Sequence, residues 1–414
     1  MVIIYNLFIN CLRIAYSLAA PFNPKARAFV NGRRDFFSGF SQALQNNTSP
    51  LIWVHCASLG EFEQGRPLIE RIRETYPKVK ILLTFFSPSG YEVRKNYPGA
   101  DFIHYLPWDT AVNASRFINL AQPRLVFFIK YEFWYHYTRV LKQQNIPVIS
   151  VAAIFRQNQL FFKSYGEFYR QILQHFRRLF VQNEESVALL KSIGIQQVTR
   201  AGDTRFDRVH QLVTSGDEIQ RARQFKASER LMVIGSCWAE DLDVLIPFIN
   251  EHRGTMKFIL APHEIDEHTL REIEGSLLAS TVRYSKAGDD IDKHDVLLID
   301  NMGMLSRLYR YGEFAYVGGA FGKGLHNILE AACYGIPILF GNRNYRKFQE
   351  AVDLINRGGA FDVADYRDMK AKFELLNVPQ NFLLACEVTK HYVEENLGAT
   401  DSIMNYCKPI LAKL

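Results

Sequence analysis

The sequence predicts an α/β protein of two domains, each built on a parallel sheet, and three observations carry that prediction. At 414 residues the chain is too long for one compact domain of ordinary size and sufficient for two. From Leu51 onward, short apolar runs alternate with stretches of helical period, the pattern of a parallel sheet covered on both faces. Between Phe314 and Gly341 an apolar run (FAYV), a glycine-rich turn, a helical stretch (HNILEAACYG) and a second apolar run (ILF) make the same unit around a loop suited to a ligand. Hydrophobic residues at 48% with charged residues at 22% exclude a disordered chain. The net charge of +6 is spread along the sequence, which suits an anionic substrate or a membrane surface and excludes a nucleic-acid footprint. The six cysteines lie far apart with no C-x-x-C pair, which points to a reducing compartment and against a disulfide framework or a zinc site.

Residues 1–22 are the first element, an apolar helix carrying a single charge, Arg13. At ~30 Å such a helix just reaches across a bilayer. Asn6, Asn10, Arg13 and Ser17 recur every three to four residues, so a narrow polar stripe is expected to dock on the protein or lie in the membrane interface. A cleaved signal peptide fits less well, because the stretch lacks a basic leading segment. Lys25, Arg27, Arg33 and Arg34 follow as a basic cluster expected at anionic headgroups on the cytoplasmic side.

The first domain, residues 23–207, alternates strand LIWVHC, a helix from Glu61 to Tyr76, strand KILLT, a helix after Pro88, strand FIHYL, a helix from Thr110, strand RLVFFI, a helix through Val140 and strand PVISVAA. Ligands of such sheets bind beyond the carboxyl ends of the strands. Three of these ends carry polar groups. At the first, Ser58 and Gly60 lead into Glu61, either a helix-dipole partner or a general base for an acceptor hydroxyl. At the second, Ser87, Ser89, Gly90 and Glu92 suit a phosphate or sugar hydroxyl, or a capping box. At the third, Glu132 follows Lys130 and faces the same edge, with a salt bridge to a neighbouring cation as the plain alternative.

A strand, a helix and a further strand (LFVQNEES, then GIQQVTRAGDTRFD) lead to a boundary just after Asp207. The second domain, residues 208–385, opens with LMVIGSCWAEDL, in which Gly235 and Ser236 end a strand before a helix, a phosphate-type turn. KFILAPHEIDE and VLLIDNMGML follow, and then the loop around Gly324. There the missing Cβ lets backbone approach a ligand, and Asn327 and Glu330, three residues apart, are expected on one helical face where they can hold ribose hydroxyls. Helix capping alone accounts for the same pattern. Residues 386–414 are expected as a helix returning to the first domain.

In order, these segments resemble the Kdo transferases, bacterial enzymes that move 3-deoxy-D-manno-octulosonic acid (Kdo) from CMP-Kdo to a lipid A precursor. HCASLGE is similar to the segment holding the family's catalytic glutamate, which falls on Glu61. SPSGYE is similar to TPTGSE, with Tyr91 in place of a serine. KYEFWYH is similar to ETELW, keeping Glu132 and Trp134 and placing Lys130 where the family has an acid. GDTRFD is similar to GSLKFD, with Arg205 in place of lysine and Asp207 kept. After Pro262 the family's arginine is His263 here, and Met302, Gly303 and Met304 stand where GDTMGEL brings backbone to cytosine. GGAFGKGLHNILEAACYGIPILFG is similar to the donor loop and assigns Gly324, Asn327, Ile328, Leu329 and Glu330 to it, with Lys323 an added cation.

The resemblance implies a GT-B fold, two Rossmann-like domains with a cleft between them, plus the N-terminal membrane-associated helix. It implies an inverting glycosyltransferase of the bacterial inner membrane's cytoplasmic face, working in lipopolysaccharide synthesis. Glu61, Glu132 and Arg205 would be catalytic. Gly235, Ser236, Pro262, His263, Met302, Gly303, Met304 and the 324–330 loop would bind CMP-Kdo, and Ser58, Gly60, Ser87, Ser89, Gly90 and Glu92 the lipid acceptor. No D-x-D pair stands poised for a divalent metal, so no metal and no cofactor are expected; nucleic acid is not an expected partner. A UDP-sugar transferase of the same fold, or a noncatalytic nucleotide-sugar-binding relative, would share most of these features.

Overall fold

The computed structural model describes residues 1–214 and 218–414, which divide into two compact units, Met1–Asp207 with Leu397–Leu414, and Arg208–Asn396. The first unit holds β1 (Leu51–Cys56), β2 (Lys80–Phe85), β3 (Phe102–Tyr105), β4 (Leu125–Ile129), β5 (Val148–Ala153), β6 (Arg178–Val181) and β7 (Val198–Arg200). They form one parallel sheet in the order β3-β2-β1-β4-β5-β6-β7. All six residues of β1 are buried because both faces are covered. Leu51 and Trp53 face a core with Phe117 and Tyr137, whereas Ile52, Val54 and Cys56 face the opposite core with Phe62 and Leu68. The chain runs outward from β1 to β3 and then returns to lay β4 on the other side of β1. The loops leaving β1 and β4 therefore diverge, and their carboxyl ends flank the crevice where doubly wound sheets take their ligands.

The second unit repeats the plan with β8 (Leu231–Cys237), β9 (Lys257–Pro262), β10 (Thr281–Arg283), β11 (Val296–Leu298), β12 (Phe314–Val317), β13 (Ile338–Gly341) and β14 (Ala360–Val363). Its order is β10-β11-β9-β8-β12-β13-β14, again parallel, so the direction reverses between β8 and β12.

Residues 386–414 are two helices where one was expected. Pro379–Glu394 belongs to the second unit, and Ala399–Leu411 packs on the first after Gly398 turns the chain at φ 98°. Ile403, Met404 and Leu411 join the core beneath the helix Leu59–Thr75, each burial being worth roughly 1.5–3 kcal/mol. Asp207 caps this last helix, its carboxylate accepting from Gly398 N at 2.7 Å and Thr400 N at 2.6 Å.

The helix Val2–Ala19 is long and apolar enough to cross a membrane by length and composition. It lies against the first unit through Tyr5, Ile9, Leu12 and Tyr16, which share one face and pack near Phe29, Trp108 and Trp134. Tyr5 OH donates to buried Asp109 at 2.5 Å, and Asn6 Oδ1 lies 2.6 Å from His136 Nε2. Asn6 brings the expected polar stripe into contact with the domain at His136, while Asn10 Nδ2 and Ser17 Oγ donate to carbonyls of their own helix, those of Asn6 and Arg13. The opposite face leaves Ile3 (83% exposed), Leu7 (62%), Phe8 (60%) and Leu18 (70%) uncovered.

Arg33 departs from the expected headgroup cluster. Its guanidinium turns inward, donating to the carbonyls of Phe29, Phe86 and Leu106 and lying 3.7 Å from the Phe29 ring centroid. Three carbonyls left over at strand and helix ends require donors, and a planar guanidinium supplies them in one place.

Candidate active site

On the first sheet the residues singled out at three strand ends come together at adjacent strands, β2, β1 and β4. The β1 and β2 loops are tied by Ser87 N donating to Ala57 O at 2.7 Å. Gly90 permits this approach, since a Cβ there would stand 2.3 Å from Phe85 Cδ1 and 3.0 Å from the Ser58 carbonyl carbon. Glu61 sits half-buried in the first turn of Leu59–Thr75, and Ser58 Oγ donates to its Oε2. Ser87 caps the next helix through Ser89 N, with Ser89 exposed, and Gly60 is exposed beside Glu61. Glu92 points away from this group. It is held by Lys95 at 2.8 Å and Tyr105 OH at 3.2 Å, because it stands a full turn into its helix beside those partners.

Glu132 has partners that the sequence did not reveal. Its Oε2 accepts from Trp134 Nε1 at 2.6 Å and lies 3.1 Å from His55 Nε2, and His55 is fully buried. His55 Nδ1 is 2.8 Å from Thr84 Oγ1, which accepts from Trp53 Nε1 at 2.7 Å. One proton arrangement satisfies the whole chain. Trp53 donates to the Thr84 hydroxyl, that hydroxyl donates to Nδ1, and Nε2–H donates to Glu132 Oε2. The expected alternative, a lysine or arginine salt bridge, is replaced by this relay. Lys130 instead turns into the left-handed region (φ 63°) at the end of β4. Cys56, beneath Glu61 and Glu132, supplies no thiolate, since burial and those carboxylates push its thiol well above the ordinary range.

Arg205 stands in the first unit and is drawn back onto Asp203, with Nε at 3.0 Å and Nη2 at 2.9 Å from Oδ2. Burial opposes charge on Asp203, but Arg205 and the backbone N–H at position 205 outweigh it and hold the carboxyl below its usual range.

The second unit gathers its candidates at the β8/β12 reversal. Gly318 allows the two loops to touch, since a Cβ there would lie 2.4 Å from Ser236 O and 2.5 Å from Cys237 Cα. Asp241 fastens them, accepting from Trp238 N and Gly319 N, each at 2.8 Å, and from Tyr316 OH at 2.8 Å. Burial raises its pKa even against those three donors. Around this junction Trp238, His326 and Lys347, which the sequence did not single out, join the expected His263 and Lys323. Trp238 stacks on His263 with centroids 4.0 Å apart, and its Nε1 donates to His326 Nε2 at 3.0 Å. The Lys323 ammonium sits 3.6 Å from the Trp238 centroid, and Lys347 Nζ would be 2.9 Å from a Cβ on Gly324 (φ 131°). Burial and the neighbouring His263 push His326 down to about 4, and burial also lowers His263, so both imidazoles are neutral near pH 7. That fits His326 acting as the acceptor of the Trp238 N–H.

Asn327 and Glu330 do come together, though not on one helix. The helix is only Leu329–Ala332, because the extended run of Gly324 to Asn327 precedes it and the Cys333–Gly335 turn ends it. Asn327 Nδ2 donates to Glu330 Oε1 at 3.1 Å and its Oδ1 accepts from Leu329 N. Ile328 and Leu329 side chains are buried, which leaves their backbone for any ligand. Gly235 packs under Tyr309 OH, and Pro262 ends β9 with His263 just after it. Beyond β11, Gly303 (φ 92°) and exposed Met302 form a turn, with Met304 buried. Among the described residues no cluster of three or more His, Cys, Asp or Glu is placed to hold a metal ion.

Residues 33–208 match the family model described as 3-deoxy-D-manno-octulosonic-acid transferase (kdotransferase). A 3-deoxy-D-manno-octulosonic acid transferase of Aquifex aeolicus is 28% identical over 346 residues, covering 82% of this chain and 90% of its own. One from Rickettsia felis is 24% identical, covering 87% and 79%. Among solved structures, a UDP-GlcNAc 2-epimerase of Neisseria meningitidis bound to UDP-GlcNAc superposes with a TM-score of 0.61 at 15% identity, over 88% of this chain and all of that one. A glycosyltransferase of Rickettsia africae gives 0.54 at 11% identity, over 88% and 99%. These structures share the fold.

Proposed function

The chain belongs to the Kdo transferases, glycosyltransferases of lipopolysaccharide synthesis, and from that premise we propose that it moves Kdo from CMP-Kdo to a glucosamine hydroxyl of a lipid A precursor with inversion. The observation that carries the reading is the pairing of two differently held carboxylates at one sheet reversal. Glu61 is half-buried and touched by one hydroxyl, whereas Glu132 is held in place by His55 and Trp134. In the proposed reaction Glu61 takes the proton of the acceptor hydroxyl as that oxygen bonds to C2 of Kdo. The bond from C2 to the phosphate oxygen breaks as CMP departs. Glu132 faces the positive charge that develops on the sugar, as in oxocarbenium-like transition states generally.

In the second unit, Lys323, Lys347 and the backbone of the 318–328 loop would hold the phosphate. Asn327 and Glu330 would hold the ribose, and the neutral imidazoles of His263 and His326 offer hydrogen bonds to the base or phosphate. Preorganised positive charge at the leaving phosphate is the larger part of the rate enhancement. Arg205, tied to Asp203, supports the first unit's edge in this scheme. The helix Val2–Ala19 would lie in the cytoplasmic leaflet of the inner membrane with its uncovered apolar face in the acyl region.

The test is transfer from CMP-Kdo generated in situ to a tetraacyl lipid A precursor, read by mass spectrometry of the lipid. A mass gain of one or more Kdo units is expected. Glu61→Gln should lower the rate by about 10²–10⁴ while leaving CMP affinity intact. No gain beside a competent control enzyme overturns the donor and acceptor reading, and full activity in Glu61→Gln overturns the base.

A further inference from the structure

Beside Glu132 the first unit carries a groove of about 430 Å³ that the reaction scheme leaves unused. Phe8, Tyr131, Trp134, Leu160, Phe161 and Tyr169 line it, between the first helix, the loop after β4 and the turn Leu160–Phe162. The size is that of a small-molecule site, and its walls are almost wholly hydrocarbon and aromatic. Leu160 (42% exposed), Tyr131 (38%) and Phe8 (60%) keep apolar surface open to it.

Two continuities say what would fill it. Phe8 belongs both to the groove and to the uncovered apolar face of the helix Val2–Ala19, so the groove opens onto the surface suited to lipid. Trp134 forms another wall, and its indole N–H donates to Glu132 Oε2, so the groove leads to a carboxylate of the candidate site. At the rim Arg156, an exposed cation, reaches Tyr131 OH at 3.4 Å and gives the mouth a positive charge. The pocket thus has an apolar interior, a lipid-facing entrance, a cationic rim and a polar end. That sequence matches an anionic glycolipid, tail to headgroup.

We propose that this groove receives one acyl chain of the glycolipid acceptor, so that the enzyme selects its acceptor by the chain as well as by the sugar; the inference rests on the acceptor reading above. Buried chain methylenes would each add favourable transfer free energy, and one chain is enough to separate acylated from chain-free acceptors.

The experiment uses the full-length protein and an acylated glucosamine disaccharide phosphate carrying a diazirine at the end of one acyl chain. After irradiation, labelled residues are mapped by mass spectrometry, in parallel with kcat/KM for the acylated and the chain-free disaccharide. Label is expected on Leu160, Phe161 or Tyr131. Leu160→Asp should reduce that label and lower the ratio of kcat/KM, acylated over chain-free, by about tenfold or more. Label confined to Ile3, Leu7 and Leu18 on the outer helix face, or an unchanged ratio in Leu160→Asp, overturns the groove. The labelling does not depend on turnover. Label in the groove without transfer to either acceptor would sink the transferase reading and leave the groove standing, while transfer with label elsewhere would do the reverse.

Discussion

Thr84→Val isolates the relay behind Glu132. The substitution keeps the volume but removes the only hydroxyl between Trp53 Nε1 and His55 Nδ1. Nδ1 then has the backbone carbonyl of position 84 as its remaining partner, 3.1 Å away, and a carbonyl only accepts. The imidazole proton therefore moves to Nδ1, and Nε2 presents a lone pair to Glu132 Oε2. The carboxylate loses one charge-assisted hydrogen bond, about 1.5–3 kcal/mol. At about 1.4 kcal/mol per tenfold in rate, transfer should fall roughly ten- to hundredfold. Trp53 Nε1, fully buried, is left unpaired at a further cost of about 1–3 kcal/mol in stability. The assay is initial transfer rate at saturating donor, with thermal melts to separate the two effects and CMP affinity as a control on the second unit. A destabilised Thr84→Val enzyme with wild-type rate would refute the relay as anything more than packing.

Three other outcomes follow from the geometry. Gly318→Ala places a Cβ within 2.5 Å of backbone at Ser236 and Cys237, so it should cost about 1–3 kcal/mol and weaken CMP binding at least tenfold by calorimetry; retained affinity would mean the two loops need not touch. His326, held at about 4 when folded against an ordinary 6.5, contributes stability present above pH 6.5 and lost as pH falls toward 4. The stability-versus-pH slope in that window, from denaturant melts, should therefore be shallower in H326Q, and identical slopes would contradict the assignment. Replacing Ile3 and Leu7 together by serine removes two uncovered apolar side chains and should weaken flotation with anionic vesicles by tenfold or more, whereas unchanged flotation would argue against membrane contact through that face.

The sequence by itself determined the architecture and most of the edge that carries the site. Runs such as LIWVHC and LVFFI, apolar but for His55, read as strands buried on both faces, the pattern of parallel sheets with polar groups at the strand ends, where Glu61, Ser87 and Glu132 lie. Local pattern also located Gly318–Gly324 as a loop after a strand. Tertiary structure decided what each polar group meets. His55 sits mid-strand in an apolar run, and nothing local distinguishes a core histidine from one whose partners are Thr84, on the adjacent strand, and Glu132, 77 residues on. Trp238 and His326 are 88 residues apart, and Asp207 caps a helix 191 residues away. Arg33 read as a headgroup charge and Glu92 as an acceptor-binding or capping residue; each meets other partners, since the carbonyls of Phe86 and Leu106 and the Tyr105 hydroxyl are supplied by other elements. Periodicity fixes which residues face inward because it is a property of neighbours along the chain; hydrogen-bond partners across a sheet or between loops are fixed only when strand order brings distant residues together.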